Sequence, residues 1–247
     1  MEDRSLLEVH EVTRSFGGLR ALNRCSFRVE EGSVTSLIGP NGAGKTTMFN
    51  VITGLLRPSA GHVVFDGRDI TGLRPHWIAR QKIGRTFQLP RELEEMTLVE
   101  NVVLHAPSKG PLGLFRSGVL EHERRKASDL LAFVDLDGLA DEPAGSLSYG
   151  QRKLLDLAAA LMADPRLIML DEPAGGVNPA LLETITSRVA DLNRTGVTFL
   201  IVEHNMDVVM QLSDSVVVMA HGQVLTQAPP HAVQVDDVVL DAYLGQA

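Results

Sequence analysis

The sequence is short of cysteine and of positive charge. Its single cysteine, Cys25, excludes an internal disulfide framework and a multi-cysteine zinc cluster, and it fits a reducing compartment. The 23 Lys and Arg residues are outnumbered by 31 Asp and Glu residues, so the formal net charge is −8. Tight nonspecific binding to DNA or RNA relies on basic side chains that neutralise phosphates. We therefore expect no nucleic-acid partner.

Long hydrophobic runs are also missing. The apolar segment 154–163 contains Asp156, and no run approaches the roughly 18 apolar residues of a membrane-spanning helix. Residues 1–10 carry Glu2, Asp3 and Glu8 and lack the apolar core of a signal peptide. Internal repeats and low-complexity tracts are absent as well. These absences predict a water-soluble protein of the cytoplasm.

The chain has the composition of an ordinary globular protein, with 44% hydrophobic and 22% charged residues. The first 70 residues favour β-strands, the middle has helical spacing, and the last third alternates strands with helices. Such alternation favours a parallel sheet covered by helices. We predict strands at 34–38, 167–170, 197–202 and 215–219, a hairpin across 61–70, helices at 154–162 and 180–192, and a short amphipathic helix marked by Val235, Val238, Val239 and Ala242.

A glycine-rich loop directly after the strand 34–38 carries the strongest signal. Residues 39–47 match the pattern G-x-x-x-x-G-K-[ST], with a strand before it and a helix-compatible stretch after it. Glycines let successive N–H groups point into one concavity that holds phosphate oxygens, and the following helix adds its positive end. Lys45 is predicted to reach the β- and γ-phosphates, and Thr46 to ligate Mg²⁺. The predicted phosphate-binding residues are Gly39, Pro40, Asn41, Gly42, Ala43, Gly44, Lys45, Thr46 and Thr47.

Two carboxylates follow the predicted strand 167–170. Ligands of open parallel sheets bind at the carboxyl ends of the strands, which is where Asp171 and Glu172 stand. By itself such a pair is more often the solvated start of a loop, but a phosphate loop in the same chain favours a catalytic role. We predict that Asp171 holds Mg²⁺ through water and that Glu172 polarises the attacking water as a general base.

A third motif, residues 147–151 with the sequence LSYGQ, precedes the apolar helix. Taken alone it is a serine N-cap and a glycine in a turn. In context it resembles the signature motif of the ATP-binding cassette (ABC) ATPases, usually written LSGGQ. Gln88 then matches the family's Q-loop glutamine, His204 the switch histidine, Asn178 the D-loop, and Phe16 the aromatic residue that stacks on adenine. These motifs stand in the family's order from Phe16 to His204.

The resemblance implies the fold: an α/β protein with a P-loop NTPase (RecA-like) core sheet, an antiparallel β subdomain and an α-helical signature subdomain. It implies one ABC ATPase domain over residues 1–247. The core with its β subdomain would comprise 1–90 and 162–247, and the helical subdomain about 91–161.

The resemblance also implies a mechanism in which two cassettes meet head to tail over two ATP molecules. Ser148 and Gly150 of one chain would face the γ-phosphate held by Lys45 of the other. Gln88 would ligate Mg²⁺ and report the nucleotide state to a partner, and His204 would touch the γ-phosphate. The implied catalytic residues are Lys45, Glu172 and His204. The implied Mg²⁺ ligands are Thr46, Gln88 and Asp171, and the implied ATP contacts outside the phosphate loop are Phe16, Gln88, Ser148, Gly150 and Gln151.

Two residues depart from the family pattern. Tyr149 replaces the first glycine of the signature, and Asn178 replaces the usual aspartate of the D-loop. Neither change removes a phosphate ligand or the base, so hydrolysis is still expected. The change at Asn178 removes a charge at the dimer seam, which puts the coupling of the two sites in doubt.

Further segments resemble the ATP-binding subunits of branched-chain amino-acid transporters; they are 16–22, 85–88, 96–102, 177–179 and 242–245. The implied protein energises an importer from the cytoplasmic face of the membrane. Its partners would be multi-span permease subunits and a second cassette, identical or related, with a periplasmic or extracellular solute-binding protein engaged only indirectly. Leu89, Leu93 and Met96 are candidate permease contacts. Two other interpretations remain open: the ATPase of a urea or amide importer or a lipid exporter, and a soluble cassette for DNA repair or iron–sulfur assembly.

Overall fold

A computed structural model describes residues 4–86, 92–107 and 120–244. The predictions for Gln88 and Leu89 concern residues outside these ranges. Within them, no helix is both long enough and apolar enough to pass through a lipid bilayer.

The strands and helices follow one another along the whole described chain. Strands β1 to β10 are Ser5–Phe16, Leu19–Glu30, Val34–Ile38, Ala60–Phe65, Arg68–Asp69, Ile83–Arg85, Leu167–Asp171, Thr198–Val202, Ser215–Ala220 and Gln223–Ala228. Helices α1 to α9 are Lys45–Ile52, Pro75–Arg80, Leu98–Val103, Glu121–Phe133, Tyr149–Leu161, Pro179–Arg194, Met206–Leu212, Pro230–Val233 and Asp237–Leu244. Short 3₁₀ turns occupy Asp137–Leu139 and Ala144–Ser146.

The central sheet of the described residues has the strand order β10-β9-β3-β8-β7-β6. Its strands are parallel except β10, which runs antiparallel to β9. Strands β3, β7 and β8 are buried along their whole length, as expected of strands covered on both faces. The registers pair both Leu37 and Asp171 with Val202, so the carboxyl ends of these three strands meet at one edge. The predicted parallel sheet is therefore confirmed.

A smaller antiparallel sheet, in the order β2-β1-β4-β5, packs beside the central one. Its apolar side chains share a core with α1 and one face of β3, β7 and β8. The predicted hairpin is confirmed as β4 and β5, joined at Asp66 and Gly67. Both turn residues have positive φ, 50° and 73°, which is the conformation that an Asp-Gly turn of type I′ requires.

Helices α3, α4 and α5 pack together and cover the opposite face of the central sheet. Helix α5 begins at Tyr149, five residues earlier than the apolar run at 154 indicates. The reason is a capping box, in which Ser148 and Gln151 satisfy each other's backbone N–H groups. Helix α6 likewise begins one residue early because Asn178 caps it. The boundaries at 90/91 and 161/162 between core and helical subdomain stay a prediction.

The short helix predicted near the C-terminus is confirmed as α9, but two of the four residues that mark it are exposed. Val235 precedes α9 and is 74% exposed, and Val238 within the helix is 60% exposed. Of the four marker residues, all of which the structure describes, only Val239 is buried, against the core formed with Val209 and Val216. The Asp236 carboxylate accepts a hydrogen bond from the Val238 N–H, so the helix begins beyond Val235 and presents a different face to the core.

Candidate active site

The glycine-rich loop follows β3 at the centre of the sheet. Gly39, Gly42 and Gly44 have positive φ values of 147°, 80° and 102°. A Cβ atom on Gly39 would lie 2.0 Å from the carbonyl oxygen of Met219, and one on Gly44 would lie 2.7 Å from that of Ala21. Gly39 and Gly44 are therefore required both by backbone conformation and by close packing.

The loop leads into α1 and forms one wall of a cavity of about 410 Å³. Residues 42–47 line this wall, so the cavity lies at the N-terminal end of α1, where the helix dipole favours an anion. Glu172 lines the cavity too, and residues 19–21 and 221–222 complete it. The volume and the helix end suit a phosphate-bearing ligand.

Lys45 is the first residue of α1 and is almost completely buried. Its ammonium donates hydrogen bonds to the carbonyl oxygens of Gly39, at 2.5 Å, and Pro40, at 3.0 Å. Burial lowers the pKa of Lys45, and the charges of Glu172 and Asp171 partly offset that shift. The lysine therefore brings a positive charge to the cavity close to both predicted carboxylates.

Asp171 lies at the end of β7 in a buried ion pair. Its Oδ2 lies 3.0 Å from Nη2 of Arg85, the last residue of the adjacent strand β6. The guanidinium also donates to Asn50 Oδ1 at 2.8 Å and Thr53 Oγ1 at 3.0 Å on α1. Burial raises the pKa of Asp171, and the hydrogen bond from Arg85 partly offsets it. Sequence reasoning missed Arg85, because nothing in the local pattern pairs it with residue 171.

The oxygen donors near this point fit Mg²⁺. Thr46 lines the cavity, and Asp171 offers a carboxylate at the end of β7, where it is paired with Arg85 and is not itself among the residues that line the cavity. Magnesium is typically held by one or two carboxylates together with substrate phosphates and water. Among the described residues, no group of three or more His, Cys, Asp or Glu side chains is placed to hold a metal ion.

Glu172 stands beside Asp171 with its main chain in the left-handed region, at φ 52°. Its N–H donates to the carbonyl oxygen of Val202 on β8 at 2.9 Å. The carboxylate is partly exposed, and its Oε1 lies 4.0 Å from Nδ1 of His204. The structure therefore brings Lys45, Glu172 and His204 together at one edge of the sheet.

Glu203 is a further charged residue at this edge that sequence reasoning passed over. It is completely buried, and its carboxylate accepts hydrogen bonds from the N–H groups of Ala174, His204 and Asn205 at 2.7, 3.0 and 3.1 Å. It thereby ties the segment of His204 to the segment after Glu172. In the sequence, the feature that could have identified Glu203 is its position directly after the buried strand β8.

Ser148, Gly150 and Gln151 lie at the start of α5. Ser148 is exposed and donates to Gln151 Oε1 at 2.9 Å, whereas Gly150 is buried against Leu181. A Cβ atom on Gly150 would lie 1.8 Å from Leu181 Cδ2, so only glycine fits there. In the described part of the chain, the cavity that holds Lys45 has no wall residue from this turn. The chain's own α5 thus does not complete its own cavity.

Phe16 ends β1 and is 43% exposed, with the Arg14 guanidinium 4.7 Å above its ring. Leu19, its partner in the β1–β2 pairing, lines the cavity. Arg20 and His221 also line the cavity, and sequence reasoning did not single them out.

A glycine loop at a helix end, a buried lysine and two consecutive carboxylates at the end of a strand of the central sheet define a P-loop nucleoside triphosphatase. The model of the ABC transporter family matches residues 22–175. The chain belongs to the ABC transporter family, and it is an ABC-type ATPase.

Two curated relatives match almost the whole chain. The chain is 42% identical over 246 residues to a probable branched-chain amino acid transport ATP-binding protein, LivG, of Archaeoglobus fulgidus, covering 97% of this chain and 95% of the relative. It is also 42% identical over 253 residues to the high-affinity branched-chain amino acid transport ATP-binding protein BraF of Pseudomonas aeruginosa, covering 99% of each.

Solved cassettes share the fold. One is the ADP conformation of an ATP-binding cassette of an ABC transporter, with a TM-score of 0.88, 39% identity and coverage of 98% of this chain and 99% of that one. Another is a cassette solved as a dimer in a post-hydrolysis state with ADP and Pi, with a TM-score of 0.78, 28% identity and coverage of 91% and 98%. The expected P-loop NTPase fold is thereby confirmed.

Proposed function

We propose that this chain is the ATP-hydrolysing subunit of a membrane importer for branched-chain amino acids. The observation that carries the ATPase part is that Lys45 and Glu172 line one cavity at the N-terminus of α1. The cargo is supported by the names of the relatives, which match this chain over nearly its full length. The subunit would dock on multi-span permease subunits at the cytoplasmic face of the membrane.

The phosphate loop would bind the triphosphate. The N–H groups of Gly39 and residues 41–47 would surround the phosphates, and the Lys45 ammonium would leave the loop carbonyl groups to contact the β- and γ-phosphates. Phe16 offers its exposed ring to adenine. Thr46, Asp171 and Gln88 would hold Mg²⁺, which neutralises charge on the phosphates.

Glu172 would act as the general base on the attacking water. Its carboxylate lines the cavity, so it can take a proton from a water positioned in line with the γ-phosphate. His204, 4.0 Å from that carboxylate, would contact the γ-phosphate. Lys45 would stabilise the charge that develops on the phosphoryl oxygens.

A second cassette would complete each site. Ser148, which is exposed, and the buried Gly150 lie at the N-terminal end of α5. This helix end suits an anion and does not contribute to the chain's own cavity. A head-to-tail dimer would place this turn against the γ-phosphate of the partner. Ser148→Arg should then lower hydrolysis without lowering the nucleotide affinity of the monomer, and an equal loss of monomer affinity would contradict this arrangement.

Glu172→Gln tests the base. Turnover should stop while ATP still binds and traps a dimer, which phosphate release and size-exclusion chromatography would detect. Glu183→Gln, at an exposed position of α6, is the matched control and should hydrolyse normally. Hydrolysis by Glu172→Gln at the wild-type rate would remove Glu172 from this role.

Purification of the tagged chain from detergent-solubilised membranes of the source cell tests the transport role. Recovery of two multi-span permease subunits and a second cassette, followed by leucine uptake in reconstituted vesicles, would support the proposal. Transport of urea, an amide or a lipid instead of leucine would show that the proposed cargo is wrong. Recovery of soluble proteins alone would overturn the transport role.

A further inference from the structure

A lysine of α5 contacts the main chain of the segment that carries Glu172. Lys153 is 9% exposed. Its ammonium donates hydrogen bonds to the carbonyl oxygens of Glu172 at 2.6 Å, Gly175 at 2.7 Å and Pro173 at 3.2 Å. An ammonium group has three N–H donors, so three carbonyl groups from one short segment satisfy it. A buried charge needs such partners, and Lys153 finds all of them in residues 172–175.

These bonds hold the peptide unit that aims the Glu172 side chain. Glu172 has φ 52°, a conformation that a residue with a side chain keeps only when its surroundings enforce it. Its N–H is fixed by the carbonyl group of Val202 at 2.9 Å. Its own carbonyl group is fixed by Lys153, at the other side of the Cα atom. Lys153 therefore fixes the carbonyl side of the Glu172 backbone, whereas β8 fixes its N–H side.

The first turn of α5 packs on the same segment. The Tyr149 ring centre lies 5.3 Å from the Lys153 nitrogen, one helical turn away. A Cβ atom on Gly176 would lie 3.0 Å from Tyr149 Cε1, and Gly150 is packed against Leu181 of α6. Because these contacts leave no gap, a displacement of the start of α5 displaces Lys153 and the carbonyl groups it holds.

We infer that Lys153 is a positioning residue that connects the first turn of α5 to the carboxylate of Glu172. The inference rests on the proposed function, in which Ser148 contacts the ATP of the partner chain while Glu172 works in its own cavity. When ATP draws the start of α5 toward the partner, the Lys153 ammonium moves with it and orients the Glu172 peptide for catalysis. Each site then turns over efficiently only when the other site is occupied.

Lys153→Met tests this link, because methionine keeps the length of the side chain and removes its charge and donors. Steady-state hydrolysis would give kcat, KM and the Hill coefficient for ATP, and calorimetry would give the affinity for ADP. We expect kcat to fall about tenfold or more with KM changed by less than about threefold, and the Hill coefficient to fall to about 1. Lys153→Arg, which keeps the charge, should recover part of kcat and of the cooperativity.

Lys126→Met is the matched control. Lys126 lies on α4 and pairs with the exposed Asp164 at 2.7 Å, so its loss should leave kcat and the Hill coefficient unchanged. Should Lys153→Met not fold, Lys153→Gln replaces it, since glutamine removes the charge but keeps an amide donor.

Two results would overturn the inference. One is a folded Lys153→Met or Lys153→Gln protein with wild-type kcat and cooperativity. The other is a loss of melting temperature with unchanged kcat and Hill coefficient per folded molecule, which would make the lysine purely structural. A wild-type chain without ATP hydrolysis is a different outcome, because it would overturn the proposed function itself.

Discussion

Replacing Arg85 by methionine should destabilise the protein much more than breaking an ion pair on its surface. The Arg85 guanidinium lies 3.0 Å from Asp171 Oδ2, and the two side chains are 9% and 4% exposed. Removing one partner of a buried pair leaves an uncompensated charge, at a cost of about 3–5 kcal/mol. For a domain of this size that corresponds to a fall in melting temperature of about 6–20 °C.

A surface pair of similar chemistry provides the comparison. Arg24 and Glu11 are 2.5 Å apart, with side chains 70% and 63% exposed. Such a pair contributes about 0.2–1 kcal/mol, so Arg24→Met should lower the melting temperature by at most about 4 °C. Both variants would be followed by circular dichroism during heating and in urea.

The double variant R85M/D171N isolates the charge. Because Asp171→Asn removes the carboxylate that Arg85→Met leaves unpaired, the double variant should recover a large part of the lost stability. A melting temperature for Arg85→Met no lower than that of Arg24→Met would refute the reasoning. So would a double variant that is no more stable than Arg85→Met.

Lys45→Ala should reduce ATP hydrolysis by about 10²-fold or more, since it removes a charge that stabilises the phosphoryl group, and a phosphate-release assay with near-normal rates would contradict the assignment. Gly39→Ala should lower the melting temperature strongly, because its Cβ atom would lie 2.0 Å from a backbone oxygen, whereas Gly42→Ala, with no atom within 4 Å, costs only the left-handed strain of about 1–2 kcal/mol. Equal melting temperatures for the two would argue against the packing at residue 39. The hydrogen bond from Arg166 and the neighbouring arginine charges lower the pKa of Asp66 below 3.8, so this carboxylate stabilises the fold above that pH and the contribution is lost as pH falls through the lowered value. Wild type and Asp66→Asn should therefore differ in thermal melting at pH 7 and converge in strong acid, and a constant difference would contradict the linkage.

Much of the fold follows from local pattern. The strands β3, β7, β8 and β9 are short, mainly apolar runs that the sequence predicts at nearly the residues where the structure has them, because strands covered on both faces are mostly apolar. The phosphate loop was equally readable, since its glycines are fixed by backbone geometry. The first residues of helices are harder to predict from the sequence. Helix α5 begins before its apolar run, at a capping box whose polar residues can also form a turn.

The contacts that hold Asp171 and Glu172 in place could not be predicted from the sequence. Arg85 reaches Asp171 from a strand 86 residues away in the chain, and Lys153 reaches the backbone of Glu172 from a helix. Such partners are set by how the elements pack, and no spacing along the sequence encodes them. The sequence does contain one indication of the role of Lys153, which is a charged residue directly before the apolar Leu154 and Leu155 of α5, both buried in the structure.

The placement of the predicted catalytic groups at the ends of interior strands has a consequence for how the protein loses activity. Strands β3 and β8 have neighbours on both sides, whereas β10, β6 and the β1–β2 hairpin lie toward the edges of their sheets. Partial opening at those edges leaves the frame that carries Lys45, Glu172 and His204 intact. In rising denaturant, the KM for ATP should therefore rise during early fraying, because Phe16 and residues 19–21 lie at those edges. Hydrolysis should vanish together with the amide protection of β3 and β8.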